Sequence, residues 1–184
     1  MLLLILVAGM PGAGKSIVVD VAKEEYGIPV YTMGDVVREE TMKRYGVITP
    51  ETMLKTSREL RKEYGPQYIA VKTFERLPHD QRIVLIDGVR SLDEVEYFRS
   101  KGEAVIVAIH ASPKTRFKRL LERGRPGDPS SWDDFVKRDK IELSFGIGNV
   151  IALADYMVVN EGSLEEAREQ IRRVLKEIIG VKRK

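Results

Sequence analysis

The chain has 184 residues, 43% hydrophobic and 32% charged, enough for one domain with its own core. Lysine and arginine total 31 against 28 aspartates and glutamates, a net charge of +3. The two signs are interleaved, so a clustered basic face for nucleic acid is not expected. There is no cysteine, which excludes disulfides and thiolate metal sites.

In chain order, the first expected element is a buried strand in "MLLLILVA". No basic segment precedes this run, and it leads straight into a Gly/Pro turn. A signal peptide is therefore not expected, and a cytoplasmic location is. A helix follows in "SIVVDVAKEEYG", closing at Gly27, and then a strand in "IPVYTM" (28–33). "GDVVREETMKRYG" reads as a helix closing at Gly46. "TPETMLKTSRELRKEYG" reads as another, opened by a Thr-Pro pair. Two Val/Ile-rich strands come next, "RIVLID" (82–87) and "AVIVAIH" (104–110). "RGRPGDPSSW" (123–132) is dense in Gly, Pro and Ser and is expected to be a mobile loop. The last strand is "DYMVVN" (155–160), followed by the helix "LEEAREQIRRVLKEIIG", acidic at its start and basic towards its end. Asn149, Asn160, Gln67, Gln81 and Gln170 are the only amides, a composition similar to that of thermophile proteins.

Strands alternating with helices imply an α/β fold with a five-stranded parallel sheet covered on both faces, a three-layer α/β/α arrangement. The helical stretch 34–78 is too long for a simple crossover and reads as an inserted subdomain within a single domain, 1–184.

Gly9, Gly14, Lys15 and Ser16 match the pattern G-x-x-x-x-G-K-[ST], with Met10, Pro11, Gly12 and Ala13 between them. The pattern lies between a strand and a helix. There, glycines let successive N–H groups point at one anion, and the helix N-terminus faces it. Residues 9–16 are expected to cradle the phosphates of ATP. Lys15 is expected to reach the β- and γ-phosphates, and the Ser16 hydroxyl to bind Mg²⁺. No N-K-x-D-like guanine reader is present, and motor ATPases are usually larger. Transfer to a small acceptor, or binding without catalysis, remains.

Asp87 closes an apolar strand, whose C-terminal edge faces the ligand crevice in a parallel α/β sheet. A carboxylate there suits Mg²⁺, through water, opposite Ser16. The alternative is a cap on the next helix, for which Ser91 is better suited. Arg90 follows Gly88 and is placed to grip a second anion. "MGDVVRE" repeats the arrangement: Gly34 and Asp35 open a helix and Arg38 lies one turn in. The alternative for Arg38 is a solvated helix face.

In order and spacing, these motifs resemble the adenylate-kinase-like P-loop kinases, most nearly an archaeal group related to adenylate kinase. The resemblance is carried by residues 9–16, "GDVVR" (34–38), "DGVR" (87–90) and "RLLERGR" (119–125). The tail "ADYMVVNEGSLEEAREQI" is similar to dephospho-CoA kinases, where such a segment lies near the adenine; Asn160 is its counterpart here. The resemblance implies a P-loop NTPase fold in which 34–78 binds the acceptor and 123–132 is a short lid. It implies that Arg38 and Arg90 bind the acceptor phosphate, with Gly34, Asp35 and Gly88 beside them. Arg119 and Arg123 would lie on the ATP and lid side, with Arg125 and Arg138 closing on the transferring group. The chain departs from the pattern in four places. Met33 stands where adenylate kinases carry Thr, one residue is missing between Asp-Gly and Arg90, "SLDEVE" contains no base-reading glutamine, and the lid has no zinc cysteines.

The expected activity is transfer of the γ-phosphoryl of Mg·ATP to a nucleoside monophosphate such as AMP, with Lys15, Asp87, Arg119, Arg123 and Arg138 serving the transfer. Small-molecule nucleotides are the expected partners, with neither membrane nor nucleic acid. One alternative is a kinase acting on a hydroxyl, as dephospho-CoA kinase does, with Asp35 as base. Another is a nucleotide-sensing module with little turnover.

Overall fold

A computed structural model describes residues 2–78 and 80–181. Met1, which opens the first apolar run, and the last three positions of the 1–184 domain lie outside the described residues. Five strands, β1 (Leu3–Ala8), β2 (Val30–Thr32), β3 (Ile83–Asp87), β4 (Glu103–His110) and β5 (Tyr156–Val159), form one parallel sheet in the order β2-β3-β1-β4-β5. β1 is buried at every position, which is why it reads as an unbroken apolar run.

Side chains of a strand alternate between faces, and two core layers follow from this. Leu4, Leu6 and Ala8 pack with Val84, Ile86 and Ile106 on one face. That layer is covered by α2 (Met33–Tyr45), α3 (Pro50–Tyr64), α4 (Tyr68–Phe74), α5 (Leu92–Lys101) and α8 (Ile147–Ala152). Leu3, Ile5 and Val7 face the other way, onto Val18 and Val21 of α1 (Lys15–Tyr26) and Ile171 and Leu175 of α9 (Leu164–Val181). Each buried Val, Leu or Ile side chain among these contributes about 1.5–3 kcal/mol. The three-layer α/β/α fold with a five-stranded parallel sheet is the one expected.

Three details differ from the sequence reading. The edge strand β2 begins only at Val30, after Pro29, which cannot donate to a ladder, and ends at Thr32 because Met33 begins α2. Gly34 and Asp35 therefore lie inside the first turn of α2 and do not open it. No helix was expected over 132–152, yet α7 (Trp132–Ser144) and α8 occupy most of it. Third, α6 (Pro113–Arg123) runs through Arg123, so the irregular stretch is 124–131. No described helix is long and apolar enough to cross a membrane.

Candidate active site

β1 delivers the chain to the C-terminal edge of the sheet, where it turns through Gly9–Gly14 into α1. Gly12 and Gly14 have φ of 80° and 104°, the left-handed region that favours glycine. Space makes the same demand: a Cβ on Gly12 would lie 2.8 Å from the Arg116 carbonyl oxygen, and one on Gly14 would strike the Asn160 amide. No side chain caps the start of α1 at Gly14; the Ile17 N–H turns to the Gly14 carbonyl at 3.0 Å, and the helix N–H groups before it are left for another acceptor.

Lys15 folds back across the loop and donates from Nζ to the Gly9 carbonyl at 2.7 Å. Burial pulls its pKa down, and the nearby Asp87 carboxylate opposes this. Asp87 ends β3 in register with Val7 of β1, so the sheet itself sets it beside the loop. Burial pushes the Asp87 carboxyl above its ordinary range, with Lys15 and Arg90 pulling the other way. Its Oδ1 is buried without a hydrogen-bond partner. Ser16 is exposed and lines, with Gly12, Lys15, Asp87, Arg90 and Arg119, a cavity of about 500 Å³ over the loop.

The loop rests on Arg116, which the sequence reading did not single out, and on Asn160, which it did. Arg116 of α6 is only 4% exposed. It donates from Nη1 to the Pro11 carbonyl at 3.2 Å and grips Asp139 of α7 with two bonds of 2.8 and 2.5 Å. Its signal is only a buried arginine in a basic helix, which the sequence does not distinguish from solvated neighbours. Asn160 is buried under the loop, donating from Nδ2 to the Ala13 carbonyl at 2.9 Å. Its amide thus braces the cradle from below. Arg119 lines the loop cavity and donates from Nη2 to the Asn160 carbonyl at 2.9 Å, while its Nη1 is buried and unpaired.

A second cavity, of about 460 Å³, lies between α2, α3 and α7. Val37, Met53, Leu54 and Ile141 form its apolar wall, and Gly34 is at its edge. Arg90, Arg138 and Glu142 line both cavities and so mark where they meet. Arg90 Nε lies 3.3 Å from Glu142. The loop 124–131 reaches over the second cavity: a Cβ on Gly127 would clash with the Pro50 ring of α3. Arg123 donates twice to Asp128, at 2.8 and 2.6 Å, and Arg138 donates to Asp128 at 3.1 Å. These contacts, with Arg123 first, hold the Asp128 carboxyl down at about 2. Arg125 lines the loop cavity.

Arg38 and Asp35 are not brought to either cavity. They pair with each other at 2.9 Å, and both side chains are more than half exposed. Asp35 reaches the site only through its field, raising the pKa of Asp87. The i,i+3 spacing within α2 explains the pairing, and it is the solvated face given as the alternative for Arg38.

A glycine-bounded loop between β1 and α1, with a carboxylate at the end of the neighbouring strand, makes this a P-loop NTPase of kinase-like fold. The chain belongs to the UPF0200 family. It is 60% identical over 178 residues to a UPF0200 protein of Staphylothermus marinus, covering 97% of this chain and 94% of that one. It is 50% identical to UPF0200 protein MJ1399 of Methanocaldococcus jannaschii, covering 97% of this chain and 91% of the relative. A family model described as "AAA domain" matches residues 8–135. Among solved structures, TT1252 from Thermus thermophilus is similar with a TM-score of 0.63 at 18% identity, over 96% of this chain and 97% of that one. Shikimate kinase from Acinetobacter baumannii, in complex with shikimate, is similar with a TM-score of 0.62 at 19% identity, over 100% and 96%. At these identities the likeness is one of fold.

Proposed function

We propose that the chain transfers the γ-phosphoryl group of ATP to a small acceptor bound in the second cavity, a nucleoside monophosphate such as AMP. The observation that carries this reading is the junction: two cavities of similar size share Arg90, Arg138 and Glu142. Donor and acceptor can then meet in line, and positioning with charge neutralisation performs most of such a transfer. Lys15 and the loop N–H groups hold the donor phosphates. The orphaned Asp87 oxygen and the exposed Ser16 hydroxyl on the same cavity fit Mg²⁺, which often takes one or two protein oxygens beside phosphates. Bound there, the ion supplies neutralisation of phosphate charge. Arg90 fixes the acceptor phosphate, and Val37, Met53, Leu54 and Ile141 offer an apolar shelf for its base. Arg123 and Arg138 serve the transferring group once they leave Asp128, and the loop 124–131 excludes water.

A hydroxyl acceptor is the second reading. Glu142, a carboxylate on both cavities, favours it, since a hydroxyl benefits from a nearby base. One assay tests both: labelled ATP with a panel of monophosphates and small alcohols, run on the wild-type chain and on Lys15→Ala. The expected outcome is transfer to a monophosphate that Lys15→Ala abolishes, together with weakened ATP binding. Transfer at the wild-type rate by Lys15→Ala sinks the proposal, and labelled product only with alcohols selects the second reading.

A further inference from the structure

A third, smaller cavity of about 120 Å³ lies between the other two. It shares Gly34, Val37 and Arg90 with the acceptor cavity, and Lys15, Asp87 and Arg90 with the loop cavity. Its charged lining is Lys15, Arg61 and Arg90 against the single carboxylate of Asp87. Glu94 and Glu142, outside this lining, pair with Arg61 and Arg90 and offset part of that charge, so it is the donors the chamber leaves open that favour an anion.

Arg61 comes from α3, and of the lysines and arginines in 34–78 it is the one that lines any of these three cavities. Its guanidinium is held on several sides. Nη1 donates to the Ser57 carbonyl at 3.1 Å and to the Ser57 hydroxyl. Nη2 donates at 2.7 Å to Glu94, whose side chain is fully buried. The Phe145 ring centroid lies 4.9 Å from the guanidinium carbon. Nε is buried and has no hydrogen-bond partner. Buried donors are nearly always paired, so one left open inside a firmly fixed group calls for a partner, a water or a ligand atom. Glu94 also accepts the backbone N–H of Arg90 at 2.7 Å, so one buried carboxylate sets the position of both arginines.

We infer that Arg61, together with Arg90, holds the oxyanion of the acceptor in this chamber, the role that the motif pattern gave to Arg38. The inference rests on the phosphotransferase reading for the word "acceptor"; the anion site itself does not. A water takes about 30 Å³, so the chamber has the volume of about four waters. That suits one phosphate or carboxylate group, while a base stays in the larger cavity.

The test uses the full chain labelled with ¹⁵N and inorganic phosphate as the probe. The Nε–Hε signal of Arg61 is assigned by its loss in Arg61→Lys, a change that keeps a cation against Glu94. A saturable phosphate-dependent shift of that signal in the wild type is expected. With AMP as acceptor, Arg61→Lys is expected to raise the acceptor KM by about tenfold or more and leave the KM for ATP within about twofold. Arg58→Lys, at an exposed position on the same helix, keeps the wild-type values. A signal indifferent to phosphate means the chamber holds water only and overturns the inference, as does an equal rise in both KM values. Failure of the wider reading looks different. If the chain transfers nothing from ATP but the phosphate shift is present, the anion site stands and the phosphotransferase assignment falls.

Discussion

Asp87 is one residue whose chemistry follows from its address. Ending β3 beside β1 buries it, and burial makes its charge harder to hold. Its raised pKa gives a pH dependence with a definite sign. As pH falls through that value the carboxylate takes up a proton, and under the proposed function it then no longer serves Mg²⁺. The kcat/KM for ATP, which reports the free enzyme, should therefore fall on the acid side at a pH above the ordinary aspartate value. Asp87→Asn should remove this limb and lower transfer by about 10–100-fold, as loss of an outer-sphere metal partner does. An unchanged acid limb in Asp87→Asn would assign it to another group. Lys15 was legible from the glycine-loop pattern, and Asp87 and Arg90 because each lies within a few residues of a strand end. Arg38 was not, because its direction depends on a helix face and on a partner, Asp35, that satisfies it locally. Arg61 carries no local signal, being one basic residue among several on α3.

At the scale of elements, α3 lines the second cavity through Pro50, Met53 and Leu54 and carries Arg61 to the smaller chamber. Its start is fixed by a reciprocal pair: the Thr52 N–H donates to Thr49 Oγ1 at 3.1 Å, and the Thr49 N–H donates to Thr52 Oγ1 at 2.9 Å. Pro50 sits where a missing N–H does no harm. Thr49→Ala removes this cap and should destabilise the protein by about 1 kcal/mol. The corresponding fall in Tm is about 2–4 °C for a chain of this size, measurable by calorimetry. The KM for ATP should not move, because the phosphate loop belongs to β1 and α1; a large change in it would mean that α3 and the loop are coupled. The Thr-Pro signal made this helix readable in advance. α7 offered no comparable signal, since a Gly/Pro/Ser-rich stretch precedes it and only Phe135 is buried among its residues. Its place depends on the Arg116–Asp139 pair and on the Phe117, Trp132 and Phe135 rings, all contacts between elements.

Across the whole molecule, the loop 124–131 links the two halves of the site. Asp128 holds Arg123 and Arg138, and the neighbouring Gly127 packs on Pro50 of α3. The Asp128 pKa of about 2 lies below its ordinary value of 3.8. A carboxyl depressed in the folded state adds stability that is present above its unfolded pKa and is lost as pH falls through the folded one. Between those two values the wild type should lose stability more steeply than Asp128→Asn, in a comparison of Tm against pH. Parallel curves would show that the contact contributes nothing to the fold.

The strands, the glycine loop and the strand-end carboxylate were determined by the sequence itself, because an apolar run, a left-handed backbone requirement and a strand terminus are properties of consecutive residues. The tertiary structure alone decided the strand order β2-β3-β1-β4-β5, which sets Asp87 against the loop. It also decided that Asn160 braces the cradle, that Arg38 turns to Asp35, and that Arg61 reaches the chamber beside Lys15. Each of these depends on which side chains meet across elements far apart in the chain, and on which donors that packing leaves without a partner.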